Sequence, residues 1–319
     1  MGGKLSRADH LSSWRRLALH LWNDPRDPTV YGNLEVDMTL ALEYLAAVSE
    51  PGSQTKVTVT HLVAKAIAKA LAAHPEANGI VAGRRIYMRP TVDVYCQVAT
   101  ESGRDLSGVK VVAADRKSIV EFAAELTTSV ESVRNADGGS ERTKHTLAVI
   151  PDVLLGAVLR LVDFLTYRLR LDLSRYGIPF DQFGSAMVSN VGQFGIGHGL
   201  APLVPSSHVP IVLLVGELTE RALVKDGEIV VAPCMTVGCT FDHRLIDGYQ
   251  AGQLASIVKR TLQDPFTELG LPSRSSSAGD RLPSGPRDRK SNPPTHSGYR
   301  DRVTGSIPPA RPRVPTEQR

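Results

Sequence analysis

Strand-like and helix-like segments are interleaved along this chain without the strict alternation that a doubly wound fold requires. Helical periodicity marks the segments Leu40–Val48, Thr60–His74, Ser118–Arg134, Leu154–Leu169 and Gln250–Gln263. Alternating or bounded apolar runs predict strands at Leu34–Met38, Gly79–Met88, Thr91–Thr100, Val109–Ala113, Ser185–Val188, Val209–Val215, Leu223–Ala232 and Met235–Phe241. The order predicts an α/β chain of the α+β two-layer sandwich type, with a mixed sheet packed against helices.

Helix boundaries can be read from residues that satisfy free backbone groups. Thr60 is the predicted N-cap of the helix that stops before Pro75. Ser118 and Glu121 have the spacing of a capping box, in which each side chain accepts from the other residue's backbone N–H. An Asp-Gly pair at 226–227 predicts a hairpin turn.

Charge is distributed unevenly along the 319 residues. The whole chain carries +4, whereas Ser273–Arg319 alone carries +6, which leaves −2 for the first 272 residues. Because this tail contains eight Pro and eight Ser with few hydrophobes, it is predicted to be disordered. We therefore divide the chain into a folded domain, 1–270, and a Pro/Ser/Arg-rich tail, 271–319. One aromatic residue and no recognition module in the tail argue against a nucleic-acid partner.

Three cysteines without a paired spacing, and an N-terminal stretch that lacks a signal-peptide pattern, predict a cytoplasmic protein.

A helical insertion is predicted at about 136–183. Its helix, at about 145–175, is apolar on one side and carries arginines on the other. It could lie on a membrane surface or dock a partner. We favour packing on its own domain or on a neighbouring subunit, because three aspartates dilute the basic face.

The segment FDHRLIDGYQAG, residues 241–252, runs from an apolar strand through a polar turn into a helix. Histidine is the side chain best suited to exchange a proton near neutral pH, so His243 is the candidate general base. Asp247, four residues on, would hold the helix start and so aim the ring. The acidic residues nearby have no second His or Cys at a ligand spacing, so no metal is predicted.

Asp-His-Arg-Leu-Ile-Asp-Gly at 242–248 resembles the active-site signature of the catalytic domain of dihydrolipoamide acyltransferases, which are related in fold to chloramphenicol acetyltransferase. Other stretches resemble successive segments of that family in order: GNLEVDMT at 32–39, VTHLVAKAIAKALAAHPEAN at 59–78, VDVYCQVAT at 92–100, ADRKSI at 114–119 and SAMVSNVGQFGI at 185–196. The likeness covers most of residues 14–268.

The resemblance implies an acyltransferase that moves an acyl group between coenzyme A and a thiol, such as a dihydrolipoyl group supplied in trans by a lipoyl-domain protein. It assigns His243 as the base, Ser189 as the hydroxyl that stabilises the oxyanion, and Asp247 as the residue that orients the loop and ring. It also implies a homotrimer or larger assembly, since in the family the serine faces the histidine across a subunit interface.

The chain departs from the family in three places. The family's usual chain begins with lipoyl domains, whereas this sequence starts almost directly at the catalytic part, so we expect the swinging arm to be supplied in trans. The loop GRDLSGVKVV at 103–112 lacks the usual proline, and His20 stands at a usual arginine position. These departures leave two alternatives open: a non-catalytic trimeric scaffold, and a small-molecule O- or N-acetyltransferase. A Ser-His-Asp hydrolase is disfavoured because no G-x-S-x-G elbow is present.

Overall fold

The structure is a computed structural model that describes residues 27–49, 56–82, 85–99, 106–135, 152–171, 173–176, 178 and 180–271. The chain divides into two units, Met1–Ser273 and Arg274–Arg319. The predicted disordered tail and His20 lie outside the described residues. No helix in the described ranges is long and apolar enough to cross a membrane.

A six-stranded sheet forms the framework. Its strands are β1 (Thr29–Asp37), β4 (Val94–Ala99), β5 (Leu106–Val111), β6 (Ala186–Asn190), β7 (Ile211–Lys225) and β8 (Glu228–Asp242), and a separate hairpin pairs β2 (Gly79–Ala82) with β3 (Arg85–Met88). The order across the large sheet is β1-β8-β7-β6-β4-β5. β6 runs parallel to both β4 and β7, while the other neighbours are antiparallel. The predicted mixed sheet is confirmed.

Helices form the second layer. They are α1 (Thr39–Val48), α2 (Val59–Ala73), α3 (Ile119–Asn135), α5 (Gly248–Gln263) and α6 (Pro265–Leu269), while α4 (Asp152–Asp163) belongs to the insertion. Side chains such as Val188 and Leu213 pack with the helices, whereas their chain neighbours Met187 and Val212 pack on the other face with Phe183. Because side chains alternate across a strand, the central strands bury both faces of the sheet.

The helix N-termini test two predictions. The Ser118–Glu121 capping box is confirmed, since Ser118 N donates to Glu121 at 2.8 Å and Glu121 N donates to Ser118 Oγ at 3.2 Å. The Thr60 cap is wrong, because α2 begins at Val59 and its N-cap is Thr58, two residues before Thr60. His61 Nδ1 accepts from Thr58 N at 3.0 Å, so a histidine fills the place where the usual pattern has Glu or Gln.

Two strand boundaries also differ from prediction. β5 begins at Leu106, inside the predicted polar loop, because Gly108 lies against the Tyr95 ring of β4, where a Cβ atom would come within 2.4 Å. The segments predicted as three strands after residue 208 form two strands of 15 residues each, joined at the predicted Asp226-Gly227 turn.

The insertion contains less α-helix than predicted. α4 ends at Asp163 and continues as a π-helical turn, Phe164–Arg168. A wider π turn shifts the register of the side chains, which a period of 3.6 residues does not anticipate.

Candidate active site

His243 lies on the turn that joins β8 to α5. Its side chain is exposed, and its backbone N–H donates to the carbonyl oxygen of Pro28 at 2.9 Å, next to the start of β1. Edge strand β1 therefore fixes the backbone of the turn, while the imidazole stays free to meet a substrate.

The residues on either side of His243 form an ion pair that closes the turn. Arg244 donates to Asp242 from Nε at 2.9 Å and from Nη2 at 2.6 Å, and its backbone N–H donates to the same carboxylate. Asp242 is 7% exposed, and its hydrogen bonds raise the pKa of the Arg244 guanidinium. Such a fork-shaped pair fixes geometry as well as charge, so the turn has a rigid base beneath His243. The motif contains both residues, but their spacing alone did not reveal this pairing.

Asp247 is the N-cap of α5. Its carboxylate accepts from Tyr249 N at 2.8 Å and from Gln250 N at 3.3 Å, and Asp247 N donates to Gln250 Oε1 at 3.1 Å. In the described part of the chain its carboxylate has no hydrogen bond to the His243 ring. Asp247 thus holds the helix start and with it the downstream end of the turn.

Ser189 lies near the end of β6, between β4 and β7, and its side chain is half-buried. The next residue anchors the strand end: Asn190 donates to Thr60 Oγ1 at 2.9 Å and accepts from Gln193 N at 3.3 Å. Thr60 is therefore a support for this site instead of a helix cap, which its position in the sequence did not indicate.

Glycine allows the chain after Asn190 to lie directly on the sheet. A Cβ atom on Gly192 would come within 2.4 Å of the Gly216 carbonyl oxygen, and one on Gly238 within 2.0 Å of the Gly199 carbonyl oxygen. The loop Gly192–Gly199 can follow this path only while these positions lack side chains.

Ser189 and His243 do not meet within one chain. Ser189 pairs with Leu214, and Leu214 pairs with Gly238, which precedes His243 by five residues along β8. Strand spacings place the two Cα atoms roughly 19 Å apart, from about 17 Å along the strand and about 10 Å across it. A hydroxyl and an imidazole that act on one substrate would have to come from different copies of the chain.

A cavity of about 490 Å³ opens beside the His243 turn. Its walls combine polar and charged residues with apolar ones. The polar set is Asp27, Thr29, His208, Asp242 and Arg244, and the apolar set is Pro28, Val81, Leu203, Val204, Pro205, Val209 and Pro210. In the described ranges, no group of three or more His, Cys, Asp or Glu side chains has a metal-binding arrangement.

Comparison with known proteins identifies the class. The family model described as "2-oxoacid dehydrogenases acyltransferase (catalytic domain)" matches residues 14–150 and 182–269. The match covers more than half of the chain, and the chain therefore belongs to this family. Residues 151–181 are not matched, so most of the insertion predicted at about 136–183 falls outside the family match.

Three individual proteins illustrate the similarity. The dihydrolipoyllysine-residue acetyltransferase component of the pyruvate dehydrogenase complex of Rickettsia prowazekii is 26% identical over 246 residues, covering 76% of this chain and 50% of the relative. The chain thus spans about half the length of that relative. The cubic core of the pyruvate dehydrogenase multienzyme complex shares the fold, with a TM-score of 0.55, 20% identity, and coverage of 84% of this chain and 95% of the core chain.

The third is a dihydrolipoamide acetyltransferase of Azotobacter vinelandii, with a TM-score of 0.56, 20% identity, and coverage of 84% of this chain and 95% of that one. Its structure was determined to study the roles of a serine, a histidine and an asparagine in the catalytic mechanism. At this identity the likeness establishes a shared fold.

Proposed function

We propose that this chain transfers an acyl group between coenzyme A and a thiol acceptor, a dihydrolipoyl group carried by a separate protein. The observation that carries the proposal is the exposed His243 on a turn fixed by Asp242–Arg244, by Asp247 and by the Pro28 carbonyl. Family membership supports the reaction class, and the cavity beside the turn offers room for the arm of a thiol substrate.

In the proposed reaction His243 takes the proton from the attacking thiol. A thiol of pKa about 8.5 and an imidazole of pKa about 6.5 differ by roughly 2.7 kcal/mol when both are in water, a cost that positioning within the site can offset. The thiolate attacks the thioester carbonyl, and the new oxyanion accepts a hydrogen bond from the Ser189 hydroxyl. Collapse of the intermediate releases the second thiol as a thiolate, which takes up the proton held by His243.

Asp247 is a positioning residue in this mechanism. It acts through the start of α5, and a side-chain amide could fill the same N-cap role. The asparagine studied in the Azotobacter vinelandii enzyme lies four residues after the histidine, the same spacing as between His243 and Asp247.

We further propose that the site forms between copies of the chain, as a homotrimer or a larger assembly. The roughly 19 Å between Ser189 and His243 within one chain supports this arrangement. The cubic core named among the structural neighbours is a precedent for assembly with the same fold.

The test is transfer from acetyl-CoA to dihydrolipoamide by the purified full-length chain. We expect turnover by the wild type, a loss of about 10²–10⁴-fold in kcat for His243→Ala, and a loss of about 10²-fold for Ser189→Ala. His74→Ala, outside the described site, is the matched control and should keep full activity. Equal turnover by wild type and His243→Ala would contradict the mechanism.

A further inference from the structure

The insertion leaves a large apolar surface uncovered. Between residues 154 and 171 six large hydrophobic side chains are each 46–56% exposed: Leu154, Leu159, Leu161, Phe164, Leu169 and Leu171. Isolated exposed hydrophobes are ordinary, but a contiguous cluster indicates an interaction surface. The segment lies outside the family match, so the common function of the family does not account for it.

The opposite side of the insertion is already docked on the body of the domain. Asp163 binds His208 Nε2 at 2.6 Å, and the Tyr167 ring stacks on the same imidazole with centroids 3.8 Å apart. At the far end of the insertion, Asp181 accepts from Arg89 Nε at 2.7 Å and Nη2 at 2.8 Å, and the Arg89 side chain is only 4% exposed. The insertion is therefore held in place while its outer surface stays uncovered.

Docking separates the charges of the insertion. Residues 151–181 contain four Arg and four Asp. Asp163 and Asp181 are turned toward His208 and Arg89 of the body, whereas Arg160, Arg168 and Arg175 are exposed. In the described part of the chain none of these three arginines makes an ion pair. The uncovered surface therefore combines apolar side chains with exposed arginines.

The apolar residues and arginines fit a flat surface. Leu154, Ala157, Leu161 and Phe164 have the i, i+3, i+7, i+10 spacing that places side chains on one stripe of a helix, and all four are exposed. With 12 residues, α4 is only about 18 Å long, too short to cross a hydrocarbon layer of about 30 Å. A helix of this kind lies in the plane of a lipid interface with arginines at the headgroups.

We propose that the insertion surface, formed by Leu154, Ala157, Leu159, Leu161, Phe164, Leu169 and Leu171 with the exposed Arg160, Arg168 and Arg175, binds the face of an anionic phospholipid bilayer. In a two-fold contact with a second copy, the arginines of one chain would face those of the other. Contact with a second copy in any other arrangement is an outcome that the test below distinguishes. Anionic headgroups instead neutralise the exposed arginines, while the leucines and Phe164 enter the acyl boundary.

Vesicle co-flotation of the full-length chain tests the proposal. We expect binding to vesicles of phosphatidylcholine with 30% phosphatidylglycerol, weaker binding to pure phosphatidylcholine, and loss of the difference in high salt, where exposed charges are screened. Arg168→Gln should weaken partitioning onto anionic vesicles about five-fold, since one Arg near such a surface contributes about that factor. Leu161→Asp should weaken partitioning at least about ten-fold, because a charge replaces a leucine that enters the acyl boundary of the bilayer.

Ile229→Asp, at another exposed apolar position, on the β7–β8 hairpin, is the matched control and should bind vesicles as the wild type does. Far-UV circular dichroism and melting temperature show that each variant is folded. The proposal is overturned if the wild type floats with neither vesicle, or if Ile229→Asp loses binding as fully as Leu161→Asp. It is also overturned if light scattering shows that Leu161→Asp dissociates an oligomer while no variant affects flotation, since the occupant is then a second copy.

Discussion

Replacing Asp247 with alanine removes the side chain that begins α5 and leaves the turn around His243 without its downstream anchor. Two backbone donors, the N–H groups of Tyr249 and Gln250, lose their acceptor. Loss of an N-cap costs about 1 kcal/mol, and in a domain of this size that lowers Tm by about 2–4 °C. A shift of the imidazole by about 1 Å would lower kcat by up to about 10²-fold.

The informative comparison is with Asp247→Asn, which keeps an oxygen acceptor at the N-cap but removes the charge. If Asp247 acts by holding the helix start, the asparagine variant should keep Tm within about 1 °C and kcat within a few-fold of the wild type, because Asn and Asp cap helices about equally well. Differential scanning calorimetry and steady-state acetyl transfer measure the two quantities. A loss of activity in Asp247→Asn as large as in Asp247→Ala, with an unchanged Tm, would refute this explanation and assign the carboxylate charge a direct effect on His243.

Three further predictions follow from contacts elsewhere in the domain. Burial lowers the pKa of His61 from 6.5 to about 4. As the pH falls from 6.5 toward 4, the His61 imidazole therefore binds a proton in the unfolded chain but not in the folded one. The free energy of unfolding should decrease by about 2 kcal/mol between pH 7.5 and pH 5 in urea titrations. His61→Gln, which can retain the capping box, should abolish this part of the decrease. Gly192→Ala should lower both Tm and kcat, because its Cβ would come within 2.4 Å of the Gly216 carbonyl oxygen and displace the chain after Ser189. Arg89→Ala should cost about 3–5 kcal/mol in urea denaturation, since it leaves Asp181 without its partner.

Each of these predictions has a control. A His61→Gln variant with the wild-type pH dependence would show that other groups set it. Gly248→Ala, where a Cβ meets nothing within 4 Å, should be tolerated, in contrast to Gly192→Ala. Replacing Arg89 and Asp181 together with Met and Leu should cost less than Arg89→Ala alone, because no charge is left unpaired.

Local sequence patterns predicted the parts of the fold that depend on neighbours in the chain. The Ser118–Glu121 capping box and the Asp226-Gly227 turn form where they were expected. The start of α2 was placed too late, because His61 acts as the capping acceptor, a role that the usual Glu/Gln pattern does not include.

Features that depend on distant residues could not be predicted. Arg89 and Asp181 are 92 residues apart in the chain, and nothing in either segment indicates their pairing. The sequence likewise identified Ser189 and His243 as candidates, but only the sheet order separates them by roughly 19 Å. The interleaved strand order places that distance between them, so the need for a second copy can be derived from the structure as well as from family resemblance.

Subunit mixing tests the central claim most directly. Ser189→Ala and His243→Ala are each expected to be nearly inactive as homogeneous assemblies, and the two chains are then co-expressed and purified together through different affinity tags. If each site takes His243 from one chain and Ser189 from the next, random mixing restores about a quarter of the wild-type acetyl transfer per site, because one pairing in four has both residues intact. Mixed assemblies no more active than the separate variants would contradict a site shared between chains.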